Sequence, residues 1–243
     1  MNDERDPQIT RSMHDLFIPS DCGRHQLDDH STTSGHVTVH FREHTKKCVE
    51  FIEKYDVIVG SVAWLTSIPI LRALSEKWVQ IVLQKEDFLR PDSESMKDVR
   101  AAYALSSSFG SERLYYGGIL SQMSICGDSL IERFRCVGNH NADKNPAFPR
   151  AHHKFLVGCT YRPDRKVPEP LGTSYPQYFQ PHAVWTGSFN LTANAERSFE
   201  NVVVIEDETI AQAYYNEWNQ LAALSEPLDW KSEWCHPQWR IGT

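Results

Sequence analysis

The chain has 243 residues, 40% of them apolar and 23% charged, with 12 Gly and 13 Pro. That composition excludes collagen-like, low-complexity and wholly disordered chains, and at this length roughly 70–75% of the extended surface can be buried without disulfides or metals. The net charge of −7 argues against a surface that coats nucleic acid indiscriminately, and apolar runs such as Val57-Ile58-Val59 and Val202 to Ile205 fall far short of the roughly 18 residues of a membrane span.

In chain order, residues 1–34 carry Asp, Ser, Thr and Gly with little periodicity and are expected to form a partly ordered N-terminal arm, with order beginning near His36. The first six residues, Met1 to Asp6, are polar and lack the apolar region of a signal peptide. Six cysteines without any Cys-x-x-Cys pair read as reduced thiols, so a cytoplasmic protein is expected. Cys22-x-x-His25 and Cys136-x-x-x-His140 each have half the spacing of a zinc site, and no second pair follows either.

From His36 to Phe41 the alternation predicts a strand. Cys48, Phe51, Ile52 and Tyr55 then recur at i, i+3, i+4 and i+7, a helical stripe. Asp56 to Trp64 reads as a strand, Pro69 to Lys77 as a helix, Val79 to Leu83 as a strand, 94–106 as a helix, and Arg133 to Val137 as a strand. The second half repeats the rhythm: His152 to Val157 is a strand, Thr160 to His182 a Pro-rich loop, Val184 to Asn190 a strand, Thr192 to Arg197 a short helix and Val202 to Ile205 a strand. Thr209 to Leu224 follows as a helix with Ile210, Ala213, Tyr214, Trp218, Leu221 and Ala222 on one face. This alternation predicts an α/β fold: a layered α-β-α catalytic domain with a mixed sheet over 35–225, followed by a Trp-rich C-terminal tail, 226–243, packed on it. Phe51, Trp64, Phe155, Trp185 and Phe189 are read as core.

Charge is unevenly spread. Arg133 to Lys166 holds eight Lys/Arg against two acids, a local +6 in an otherwise acidic chain, and such a patch can bind phosphate. Inside it, Ala151-His152-His153-Lys154-Phe155 places His152 and Lys154 two apart on a strand, so they share a face while His153 points to the other. The same alternation makes Ser188 and Asn190 point together and turns Phe189 to the opposite layer. If the two strands are neighbours, an imidazole, an ammonium, a hydroxyl and a carboxamide converge. An ammonium and neutral donors suit the anionic oxygens of a phosphate, and imidazole is a natural nucleophile for phosphorus.

His152-x-Lys154 followed by Gly187-Ser188-x-Asn190 resembles the HxK…GSxN signature of the phospholipase D superfamily. The run from Gly187 through Glu200-Asn201 to Ile205 is similar to the small bacterial nucleases of that group. The likeness is strong from His152 to Asn219 and architectural before it. Two departures stand out. Cys159 occupies the position, five after Lys154, where the family usually has Asp, and Thr160 to Thr186 is longer than the link in the smallest nucleases. A second His-x-Lys, His44-Thr45-Lys46, opens an amphipathic helix with no GSxN close behind and is read as chance.

The resemblance implies one motif per chain and therefore a homodimer with the site on its two-fold axis. It implies His152, Lys154, Ser188, Asn190 and Glu200 as catalytic residues, with Glu200 orienting His152, and a phosphohistidine chemistry that needs no metal or cofactor. Arg150, Arg162, Arg165 and Lys166 are the expected substrate-binding cations, with DNA or RNA as substrate and no stable membrane association. A phospholipid phosphodiesterase or phosphatidyltransferase, or a non-catalytic dimeric DNA-binding protein of the same fold, are the alternative readings.

Overall fold

A computed structural model describes residues 12–90, 97–99, 101, 123–124, 133–140, 149–162, 178–236 and 240–241. In chain order the strands are β1 (Phe17–Ser20), β2 (Gly23–Gln26), β3 (Thr32–Ser34), β4 (Val37–His40), β5 (Val57–Val62), β6 (Trp78–Gln84), β7 (Met123–Ser124), β8 (Phe134–Val137), β9 (Lys154–Arg162), β10 (Tyr178–Gly187), β11 (Val202–Ile205) and β12 (Arg240–Ile241). The α-helices are α1 (His44–Glu53), α2 (Ile68–Ser75) and α3 (Glu208–Leu224).

Among the described residues eight strands form one mixed sheet in the order β3-β4-β11-β10-β9-β5-β6-β8. β5, β6 and β8 run parallel, and the other neighbours pair antiparallel. The remaining strands pair as β1 with β2 and β7 with β12.

The sheet is buried on both sides, which is why β5 reads Val-Ile-Val-Gly-Ser-Val rather than alternating with polar residues. Ile58 and Val62 pack with α1 and α2 through Cys48, Phe51, Ile52, Ile70, Leu71 and Leu74. Val57 and Val59 face the opposite way, toward Ala211, Tyr215, Trp218 and Ala222 of α3. The layered arrangement follows from period-2 strands sandwiched between period-3.6 helices. Tyr55 lies so close to β9 that a Cβ on Gly158 would sit 2.2 Å from its ring.

Several boundaries differ from the sequence expectation. The predicted Pro-rich loop loses both ends to strands: Thr160–Arg162 extend β9 and Tyr178–His182 begin β10. Pro181, opposite Cys159, is tolerated because β11 pairs only from Val184 onward, so β10 has a free side there, and a bulge follows between Pro181 and Ala183. The sheet ladder begins at Thr32, ahead of His36, because β3 pairs with β4 as an edge strand. The buried stripe of α3 is Ala211, Tyr215, Trp218, Asn219 and Ala222, while Ile210 is exposed. The periodicity was right, but the face lies about one residue round because buried Asn219 gives no apolar signal. Thr192 to Arg197 contains only a single 3-10 turn, Ala195–Arg197. Beyond helical backbone at 97–99 and 101, the predicted 94–106 helix lies outside the described residues.

Candidate active site

β9 runs antiparallel to both β5 and β10, so the start of β9, the end of β5 and the end of β10 meet at one edge of the sheet. The start of β11 joins them, since Gly187 pairs with Val202. Parallel β6 delivers its carboxyl end beside that of β5. Strand ends of an α/β sheet are where loops can place side chains without disturbing the core.

His152 and His153 precede β9 rather than lying within it. Lys154 is its first residue, opposite Val62, and the Ala63 N–H donates to the His153 carbonyl at 2.8 Å. The facing expected from alternation is present. Lys154 Nζ lies 3.1 Å from His152 Nδ1 and 3.2 Å from the His152 carbonyl oxygen. His153 instead turns toward Phe155 and Glu217 of α3.

Ser188 and Asn190 likewise lie just past β10. Gly187 has φ +153°, and a Cβ there would come within 2.2 Å of the Asn201 carbonyl, so only glycine lets the turn close on β11. Across that contact the Ser188 N–H donates to the Asn201 carbonyl at 3.0 Å, the Asn201 N–H donates to Ser188 Oγ at 3.1 Å, and Ser188 Oγ donates to Glu200. Glu200 therefore holds Ser188 rather than orienting His152, a departure from the expected pairing. It still contributes its charge to the site through Lys154. Phe189 is buried and stacks on His44 at 5.0 Å, which anchors the turn from below. Leu191 completes it by accepting N–H bonds from Thr66 and Ser67 at 2.9 and 3.0 Å. Asn190 Oδ1 is buried and has no hydrogen-bond partner among the described residues.

The electrostatics favour an uncharged imidazole. Partial desolvation, followed by the positive charges of Lys154 and Arg150 and the neighbouring His153, holds His152 below the ordinary imidazole value. Desolvation also lowers Lys154, opposed by Glu200 and assisted by Arg150. The charge of Arg150 thus reaches both His152 and Lys154.

Among the described residues, Arg135 and Arg162 of the basic segment do not join Lys154 and Arg150. Arg135 is buried, and its guanidinium is spent on Ser225 Oγ at 2.6 Å and the Ser225 carbonyl at 2.8 Å. Arg162 ends β9, far along the strand from Lys154, and Arg165 and Lys166 lie outside the described residues. Trp64, read from sequence as core, is only partly buried: its ring meets His152 edge to face at 5.8 Å, and its Nε1–H donates to Glu86 Oε1 at 2.9 Å. Its place just past the carboxyl end of parallel β5 is the signal that would have assigned it to the site.

Cys159 is fully buried in the sheet interior between Val57 and Pro181, and burial pushes its thiol up. Among the described residues no group of three or more His, Cys, Asp or Glu side chains is arranged to hold a metal ion, and no helix is long and apolar enough to cross a membrane.

No family model matches the sequence. An uncharacterised protein of Acanthamoeba polyphaga mimivirus is 26% identical over 213 residues, 79% of this chain and 67% of that one. Among solved structures the chain resembles Nuc from Salmonella typhimurium, a phospholipase D family member, with 17% identity and a TM-score of 0.43 over 78% of this chain and 95% of that one. It also resembles NucT from Helicobacter pylori, with 10% identity and a TM-score of 0.47 over 79% of this chain and 98% of that one.

Proposed function

We propose that this protein is a phospholipase D-like phosphodiesterase, a nuclease that works through a phosphohistidine at a site shared by two copies of the chain. The observation that supports it most is the joint placement of His152 against Lys154, beside Ser188 and Glu200, at one sheet edge. That edge combines a nucleophile kept uncharged by its surroundings with an ammonium and a hydroxyl for non-bridging oxygens.

In the proposed reaction an imidazole nitrogen of His152 attacks phosphorus. The N–P bond forms as the P–O bond to the leaving group breaks, and His152 of a second copy, protonated in this step while the attacking imidazole is neutral, gives its proton to the departing oxygen. That second imidazole then takes a proton from water as the water attacks the phosphohistidine, which frees a phosphomonoester and regenerates both histidines. Lys154 neutralises the phosphoryl oxygens, Ser188 and Asn190 donate to them, and Arg150 draws the next phosphate of the strand toward the site. Ser188 must release Glu200 to do so, and Glu200 keeps that hydroxyl oriented until substrate arrives.

The test is incubation of the protein with single- and double-stranded DNA, RNA, anionic liposomes and a chromogenic phosphodiester in EDTA, comparing wild type with His152→Ala. The expected result is cleavage of nucleic acid by wild type, an acid-labile phosphoryl group trapped on His152, and a loss of at least about 1,000-fold in the variant. Full turnover by His152→Ala ends the proposal. Hydrolysis confined to liposomes makes the substrate a phospholipid, and DNA binding without cleavage makes the protein a binding module.

A further inference from the structure

The reacting imidazole stands outside the strand that presents it. His152 precedes β9, so the ladder fixes Lys154 and the backbone of His153 while leaving the His152 side chain to be held by its neighbours. Those neighbours are the Lys154 ammonium, at 3.1 Å, and the indole of Trp64, which meets the imidazole at 88° with ring centroids 5.8 Å apart. Trp64 has a firm seat of its own. It lies two residues past β5, and Glu86 lies two past β6, two strands that pair in parallel with Val62 opposite Leu83. That pairing brings their ends level, and the hydrogen bond of 2.9 Å from Trp64 Nε1 to Glu86 Oε1 fixes the two torsions that set the indole plane. On the far side, Thr66 and Ser67 are tied to the Leu191 carbonyl, so the segment that carries Trp64 is joined to the Ser188–Asn190 turn.

We propose that Trp64, anchored by Glu86, is a positioning residue that holds the His152 imidazole in its attacking orientation and shields one part of it from water. An edge-to-face aromatic pair is directional, so it selects one ring orientation where an aliphatic wall would allow several. A nucleophile displaced by as little as about 1 Å can lose about 100-fold in rate. Among the described residues, the charged and titratable groups that act on His152 are Lys154, Arg150 and His153. All three remain when Trp64 is replaced, so a change on removing the indole belongs to the indole.

The kinetic consequence rests on the phosphodiesterase reading, whereas the structural one does not. The experiment therefore reads both, following the His152 ring protons by NMR titration alongside kcat and KM for wild type, Trp64→Phe, Trp64→Ala, Glu86→Ala and Glu86→Gln. In Trp64→Ala the His152 midpoint should rise toward the free imidazole value as water returns. Its kcat should fall about 10- to 100-fold with KM changed by less than about twofold. Trp64→Phe keeps a ring without the anchor and should fall between. Glu86→Ala should lower kcat, and Glu86→Gln, whose amide oxygen still accepts the indole N–H, should restore it. That pair decides the matter should Trp64→Ala fail to fold.

An unmoved His152 midpoint in folded Trp64→Ala overturns the proposal, as does equal kcat in wild type and Glu86→Ala. A rise in KM with kcat intact makes Trp64 a substrate contact and overturns it as well. If wild type turns over no phosphodiester, the proposed function falls, while the titration still decides whether the indole holds the imidazole.

Discussion

At the scale of single residues the most informative position is one that lies away from the candidate site. Cys159 stands where the resembling family has Asp, and the structure gives the physical consequence. Five residues along β9 from Lys154 is about 17 Å at strand rise, so its side chain cannot touch the reacting groups. It lies instead among Val57, Val157, Phe179, Val184 and Trp218. A carboxylate there would be desolvated among apolar side chains, and a thiol fits as a small apolar group. Cys159→Asp is therefore expected to cost about 3–5 kcal/mol, the range for an uncompensated buried charge, read as a fall in the urea midpoint at pH 8 with Cys159→Ala as the volume control. Equal midpoints for the two variants would show that a partner for the Asp exists in the folded chain. The same burial separates position 159 from the strand ends that hold His152.

At the scale of elements, α1 shows how the site is supported from beneath. Its first residue, His44, is buried and stacks on Phe189, and Glu196 accepts from the Thr45 N–H and hydroxyl at 2.7 and 2.6 Å, closing the helix start from the far side of the turn. Burial, the largest influence, holds His44 below the ordinary imidazole value despite the nearby charge of Glu196. The unfolded chain then takes a proton at about pH 6.5 that the folded chain refuses, so stability is lost as pH falls below that value and the loss levels off once the folded His44 also protonates. His44→Phe, which keeps the ring on Phe189, should flatten the decline in urea midpoint between pH 7 and pH 5 relative to wild type. Parallel declines would mean His44 titrates alike in both states. Much of this was legible in the sequence: the periodicities of α1, α2, β5, β6 and β11 place them within a residue or two, and alternation put His152 and Lys154 on one face. His44 itself belongs to a His-x-Lys pair dismissed as chance, and its packing role depends on a turn 145 residues away. The place of Trp64 past a strand end pointed to the site, but its contact with His152, like that of Glu200 with Ser188, joins strand ends that only the sheet order brings together.

At the scale of the whole molecule, the C-terminal segment covers β8, which ends the sheet among the described residues. β8 is an edge, and Cys136 and Glu226 exchange backbone hydrogen bonds of 2.9 and 2.8 Å there, with Cys235 N–H on Asn139 Oδ1 and His140 N–H on the Glu233 carbonyl. An uncovered edge invites pairing with other chains, so this cover protects the fold as well as completing it. The fastening is Lys85, fully buried at the end of β6. Its ammonium pairs with the Glu226 carboxylate, donates to the carbonyls of Ser232 and Trp234 at 3.0 and 2.9 Å, and lies 5.6 Å from the centre of the Trp230 ring. Every proton of that cation has an acceptor, which is what makes its burial tolerable. Removing one partner leaves the other charge stranded, so Glu226→Ala is expected to cost about 3–5 kcal/mol, and Lys85→Met a similar amount. The double variant Lys85→Met/Glu226→Leu strands neither charge and should cost less than the sum of the two, a coupling of at least about 2 kcal/mol in a double-mutant cycle followed by urea unfolding. Strictly additive losses would mean that the segment is held by its backbone bonds and Trp230 alone, with the ion pair idle.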